Sequence, residues 1–163
     1  MTLSETDLKH LRRCVELARE ALEAGDEPFG SLLVDAGGTV RFEDRNRVQG
    51  GDATQHPEFA IARWSAQHLS PEERAAATVY TSGEHCPMCA AAHGWVGLGR
   101  IVYASSSAQL ATWHGELGLA PGPVAPLSIQ QVVPNAAVLG PAPGLAEEVR
   151  ELHRRLHGAD RAG

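Results

Sequence analysis

The sequence predicts an α/β layered domain with a mainly parallel sheet beyond one hairpin. Three observations carry this. An amphipathic helix opens the chain, a Gly-rich turn joins two short β-type runs, and from residue 56 onward helical stretches alternate with apolar strand-like ones. That alternation favours parallel pairing, because each return to the sheet then goes through a crossover helix. The 163 residues, 43% hydrophobic and 21% charged, fit a single domain (1–163) with one substantial core.

The elements follow in order. Over residues 4–24, Leu8, Leu11, Val15, Ala18 and Leu22 recur at helical spacing, with Ser4 or Thr6 as N-cap and Gly25 as stop. Cys14 lies beside that stripe and reads as a small buried hydrophobe. Phe29–Val34 is a strand, Asp35-Ala36-Gly37-Gly38 a turn, and Thr39–Glu43 the returning strand. Residues 45–55 are polar and read as a loop. His56–Leu69 is helical, with Pro57 in its first turn, and Pro71–Ala76 is a second helical piece. Thr78–Thr81 is a strand and 82–85 a turn. Cys86–Leu98 is a helix that Gly99 ends, Ile101–Ala104 a strand, and 106–117 a helix. The Pro/Gly-rich stretch 118–127 is a loop, 129–133 and 137–139 hold a short strand, and Leu145–Leu156 is a closing amphipathic helix.

Two motifs carry chemistry. His56-Pro57-Glu58 starts one helix, and Cys86-Pro87-Met88-Cys89 starts another directly after a strand. A catalytic zinc site offers three protein ligands and keeps a fourth position open. One imidazole and two thiols meet that description. A three-residue spacing at a helix start puts both sulfurs on one side, where the helix dipole favours thiolate. Glu58, two residues from His56, is placed to move a proton to and from water at such a metal. A Cys-x-x-Cys alone also fits a redox site, and four ligands, with His85 as the last, would make a closed structural zinc site. A redox site has no use for the His-x-Glu pair, and His85, adjacent to Cys86, is awkward as a ligand.

Zinc deaminases share the pattern H-x-E followed by P-C-x-x-C, and the chain resembles the cytidine deaminase superfamily. The resemblance is best in the branch of bacterial guanine deaminases and tRNA adenosine deaminases, whose pattern runs P-F-G-A, Asn, H-A-E and T-x-E-P-C-P-M-C. Here these positions read Pro28-Phe29-Gly30-Ser31, Asn46, His56-Pro57-Glu58 and 81–89, over roughly residues 8–105. Pro57 replaces a small residue and His85 replaces a proline.

The resemblance implies a three-layer α/β/α sandwich on a five-stranded mixed sheet, a bound Zn2+, and a homodimer. It implies Asn46 and Phe29 against the base. An acidic residue from the C-terminal region enters the pocket in guanine deaminases, and Glu116 falls at about that distance, with His114 beside it. Trp95, one or two turns past Cys89, and His85 are further candidates for substrate contact. His10, His68, His93, His153 and His157 are given no role.

The implied activity is hydrolytic deamination of a free nucleobase or related amino-heterocycle, guanine first. A cytosine-type or nucleoside substrate, wobble adenosine in tRNA, and a non-catalytic zinc-stabilised scaffold are the alternatives. A formal charge of −6 argues against a phosphate-gripping surface, so no nucleic-acid partner is expected. No apolar run is long enough for a bilayer, no secretory signal is visible, and the odd cysteine count suits a reducing compartment, so the expected location is cytoplasmic, with no membrane partner.

Overall fold

The computed structural model describes residues 2–162, with side chains described to residue 158. Helix α1 (Glu5–Glu23) starts on a capping box: the Ser4 hydroxyl takes the Asp7 N–H, and the Asp7 carboxylate takes the Ser4 N–H. Gly25, at φ +90°, turns the chain out of the helix, a conformation glycine adopts without strain. Strands β1 (Gly30–Val34) and β2 (Val40–Arg45) form the expected hairpin. The loop after β2 contains one 3₁₀ turn, Val48–Gly50. Then come α2 (Pro57–His68), α3 (Pro71–Ala75), β3 (Thr78–Gly83), α4 (Pro87–Val96), β4 (Arg100–Ser105) and α5 (Ser107–Glu116). Helix α6 (Ile129–Val132), β5 (Val138–Leu139) and α7 (Pro143–Ala162) complete the chain.

The sheet has the order β2-β1-β3-β4-β5. The pairs β1/β2 and β1/β3 are antiparallel, and β3/β4 and β4/β5 are parallel, so the sheet is mixed and five-stranded. Two expectations fail. Helix α4 ends at Val96 on Gly97, whose φ of +73° suits a glycine cap, rather than on Gly99. Residues 129–133 are β-branched in part, yet they form α6, because Ser128 and Gln131 make a capping box that satisfies the first backbone donors of a helix. Only 138–139 pair as strand. Helix α7 also runs longer at both ends than its apolar stripe suggested.

Strand alternation sorts the core onto two faces. Leu32, Tyr80 and Val102 lie in one register row and pack with α1, α7 and Trp113 of α5. Leu33, Val79 and Ile101 form the next row and face the opposite way. Leu33 and Val79 pack on Ile61 of α2, and Ile101 on Ala90 of α4 and Ile129 of α6. The result is the three-layer α/β/α sandwich. Leu11, Leu32, Leu33 and Ile61 are fully buried, each contributing about 1.5–3 kcal/mol of transfer free energy. At Gly30, α1 crosses β1 so closely that a Cβ would sit 2.4 Å from the Leu17 Cβ and 2.5 Å from the Cys14 carbonyl oxygen. Cys14 is buried in this core, as its place beside the stripe implied.

A candidate metal and reaction centre

The centre is built where two helices begin. His56 is the N-cap of α2 and Cys86 the N-cap of α4, and each is followed by proline at the first helical position. Neither side chain caps its helix. Proline has no N–H to satisfy and presets the backbone angle, which leaves the N-cap side chains free for another partner. Helices α2 and α4 pack against each other, so the two starts converge.

His56 Nδ1 lies 3.5 Å from both the Cys86 and the Cys89 sulfur, and the sulfurs are 3.6 Å apart. A tetrahedral ion with bonds of about 2.05 Å to nitrogen and about 2.3 Å to sulfur needs edges of about 3.5 Å (N to S) and about 3.8 Å (S to S). The triangle therefore fits zinc to within a few tenths of an ångström. Three ligands are gathered and His85 is not one of them, which leaves the fourth position of a tetrahedron open.

The electrostatics agree with this donor set. A hydrogen bond from Cys89 holds the Cys86 thiol down to about 4 against its partial burial, with help from His56. The same bond, with burial, holds the proton on Cys89, so the pair keeps one proton that a metal displaces. His56 and Cys86 are half-buried and open the triangle to solvent, while Cys89 is buried.

Glu58 stands behind the triangle in the first turn of α2, only 5% exposed. Its Oε1 accepts a hydrogen bond of 2.8 Å from the Ser31 hydroxyl, with the Thr81 hydroxyl at 3.3 Å. Ser31 and Thr81 are register partners on β1 and β3, on the same face as Leu33 and Val79, so the sheet itself aims them at α2. Burial pushes the Glu58 carboxyl up to about 7, moderated by the Ser31 hydrogen bond and the nearby His56. The sequence motifs give neither hydroxyl a role. The available signal was Ser31 itself, which stands where the family pattern has alanine.

The other candidates divide. Asn46 is buried, its N–H bonded to the Phe29 carbonyl oxygen and its Oδ1 accepting from the Val48 N–H. Phe29 packs edge-on to His153 and beside Gly83, at the end of β3. His85 is buried against His93, ring centroids 5.4 Å apart, and burial holds its pKa well down. Three expectations do not gather here. Glu116 lies on the α1/α7 side of the sheet, opposite α2, ion-paired with Arg150 at 2.7 Å and half exposed. Its distance along the chain misled because the last turn of α5 faces α7. His114 packs against His153 and His157 on that same layer. Trp95 is 89% exposed on the outer face of α4.

The sequence model of the cytidine and deoxycytidylate deaminase zinc-binding region matches residues 4–105, well over half of the chain. The chain belongs to this deaminase family. Zinc is accordingly the ion that the His56, Cys86 and Cys89 triangle suits. Among the relatives of this chain, the "probable cytosine deaminase" of Schizosaccharomyces pombe is 36% identical over 108 residues, covering 66% of this chain and 65% of that protein. The guanine deaminase of Bacillus subtilis is 32% identical over 102 residues, covering 62% and 65%. In both cases the match spans just under two thirds of the relative. tRNA-specific adenosine deaminases match at 33% identity. The guanine deaminase structure from Nitrosomonas europaea superposes with a TM-score of 0.69 over 97% of this chain and 87% of its own, at 20% identity, which establishes the common fold. No helix among the described residues is long and apolar enough to cross a membrane.

Proposed function

We propose that this protein is a zinc-dependent hydrolytic deaminase of a free nucleobase or related amino-heterocycle, with guanine the first candidate. The observation that carries the reading is a three-ligand zinc triangle with an open fourth position and a buried, hydroxyl-oriented carboxylate beside it. A scaffold needs the ligands but has no use for the carboxylate.

When bound, zinc supplies a Lewis acid that makes water a competent nucleophile at neutral pH. The chain's own residues do the rest. Asn46 offers an amide donor to the ring and Phe29 an apolar wall. Glu58 takes one proton from the attacking water to the ring nitrogen and carries the second, from the resulting hydroxyl, to the departing amino nitrogen, so that N=C–NH2 and water become HN–C=O and ammonia. Ser31 and Thr81 hold one carboxylate oxygen from the sheet side, which supports this role for Glu58.

A cytosine-type substrate is the second reading. It is supported by the S. pombe relative and by Glu116, whose pairing with Arg150 withdraws the acidic residue that a guanine pocket was expected to recruit. The test is ammonia release by zinc-loaded protein across bases, nucleosides, amino-heterocycles and tRNA, with Glu58→Ala as blank. Release from guanine supports the first reading, and release from cytosine alone replaces it with the second. If Glu58→Ala retains the wild-type rate with zinc bound, the proton-carrier assignment fails. The same reading includes a homodimer and a cytoplasmic location. The exposed Trp95 indole is a candidate contact, and Trp95→Asp is expected to shift sedimentation toward monomer. Wild type sedimenting as a monomer at micromolar concentration would remove that part.

A further inference from the structure

A second cluster of metal-ligating groups lies on the other side of the sheet. His114 comes from the last turn of α5, and His153 and His157 sit one turn apart on a single face of α7. One ring nitrogen from each lies within 4.8 Å of the other two. His153 is 2% exposed, and its Nε2 is buried without a hydrogen-bond partner. The Nε2 of His114 is orphaned in the same way. Buried polar atoms nearly always find a partner; Nδ1 of the packed pair His85 and His93 also lacks one, but among the described residues it is at His114, His153 and His157 that three imidazoles gather.

The surroundings suit a ligand set. Phe29 packs edge-on to His153 at 5.1 Å, and Trp113 lies 6.2 Å from it, so apolar rings hem the cluster on the core side. Acidic side chains that would turn the cluster into ion pairs are engaged elsewhere: Glu116 pairs with Arg150, and Glu151 with Arg154.

We propose that His114, His153 and His157 form a second metal site, for a divalent first-row ion of the zinc and nickel class, that fastens α7 to α5. Imidazole suits these ions. Bonds of about 2.05 Å in a tetrahedron need nitrogens about 3.3 Å apart, so the rings must draw in by roughly an ångström or more. His153 is the buried ring of the three, and His114 and His157 are half-buried. The ligand set shares no residue with the His56, Cys86 and Cys89 centre, and the site does not depend on the deaminase reading.

The test is cobalt titration of full-length protein whose cysteine site already holds one equivalent of zinc. Wild type is expected to bind a further equivalent, with d–d absorption but no sulfur-to-cobalt charge-transfer band. His153→Gln and His157→Gln each lose that equivalent, while Arg155→Gln, on the same helix outside the cluster, retains it. The second ion should also raise Tm in wild type and in Arg155→Gln but in neither histidine variant. Saturation of wild type at one equivalent in all, a thiolate band on the added cobalt, or full binding by His157→Gln would each overturn the proposal.

Discussion

Asp7→Asn tests the junction that ties the first helix to the sheet. The Asp7 carboxylate is 3% exposed and accepts hydrogen bonds from Tyr80 Oη at 2.7 Å, Arg100 Nη2 at 2.8 Å and the Ser4 N–H at 3.0 Å. Burial alone would raise its pKa, but the bonds from Ser4, Tyr80 and Arg100 together outweigh burial and bring it from 3.8 to about 2. A depression of that size corresponds to about 2 kcal/mol favouring the folded state when the group is ionised. The folded value lies below the unfolded one, so this stabilisation is complete above about pH 5. It is lost as the pH falls through 3.8 toward 2. Urea unfolding followed by tryptophan fluorescence should show wild type about 2 kcal/mol more stable than Asp7→Asn at pH 6, and roughly half that near pH 3. Zinc release at low pH affects both proteins alike and cancels in the difference. A gap that stays constant, or widens as the solution is acidified, would refute the electrostatic account and leave only lost packing.

Two further outcomes follow from the reaction centre. Ser31→Ala removes the 2.8 Å hydrogen bond to Glu58, and bonds to charged groups are worth about 1.5–3 kcal/mol, so turnover should fall roughly tenfold or more with zinc stoichiometry unchanged. Turnover at the wild-type level would remove Ser31 from the machinery. Glu116→Gln breaks an exposed pair with Arg150, whose loss amounts to no more than about 1 kcal/mol of stability, and turnover should not change. A large fall in turnover with zinc retained would instead return Glu116 to the pocket, by way of a partner subunit.

The chemistry of the site was legible in the sequence because it is local. His56-Pro57-Glu58 and Cys86-Pro87-Met88-Cys89 are helix starts, and a helix start fixes the relative directions of residues two or three apart before any tertiary contact forms. The hairpin, most of the helices and the burial of Cys14 were legible for the same reason, since period and turn chemistry act over a few residues. Where two local signals competed, as at 129–133, the capping box of Ser128 and Gln131 prevailed over β-branched composition.

What only the tertiary structure decided concerns residues far apart in the chain. Ser31 and Glu58 are 27 positions apart, and Glu116 and Arg150 are 34 apart. Ser31 reaches Glu58 because register sets β1 against β3 and alternation turns both hydroxyls toward α2. Glu116 turns from the site because α5 and α7 share the opposite layer, and an available arginine there satisfies its charge. The same layering brings His114 to His153 and His157, which no spacing in the sequence joins. Local geometry follows from neighbouring residues, but the layer a helix joins depends on which apolar faces the whole chain buries together.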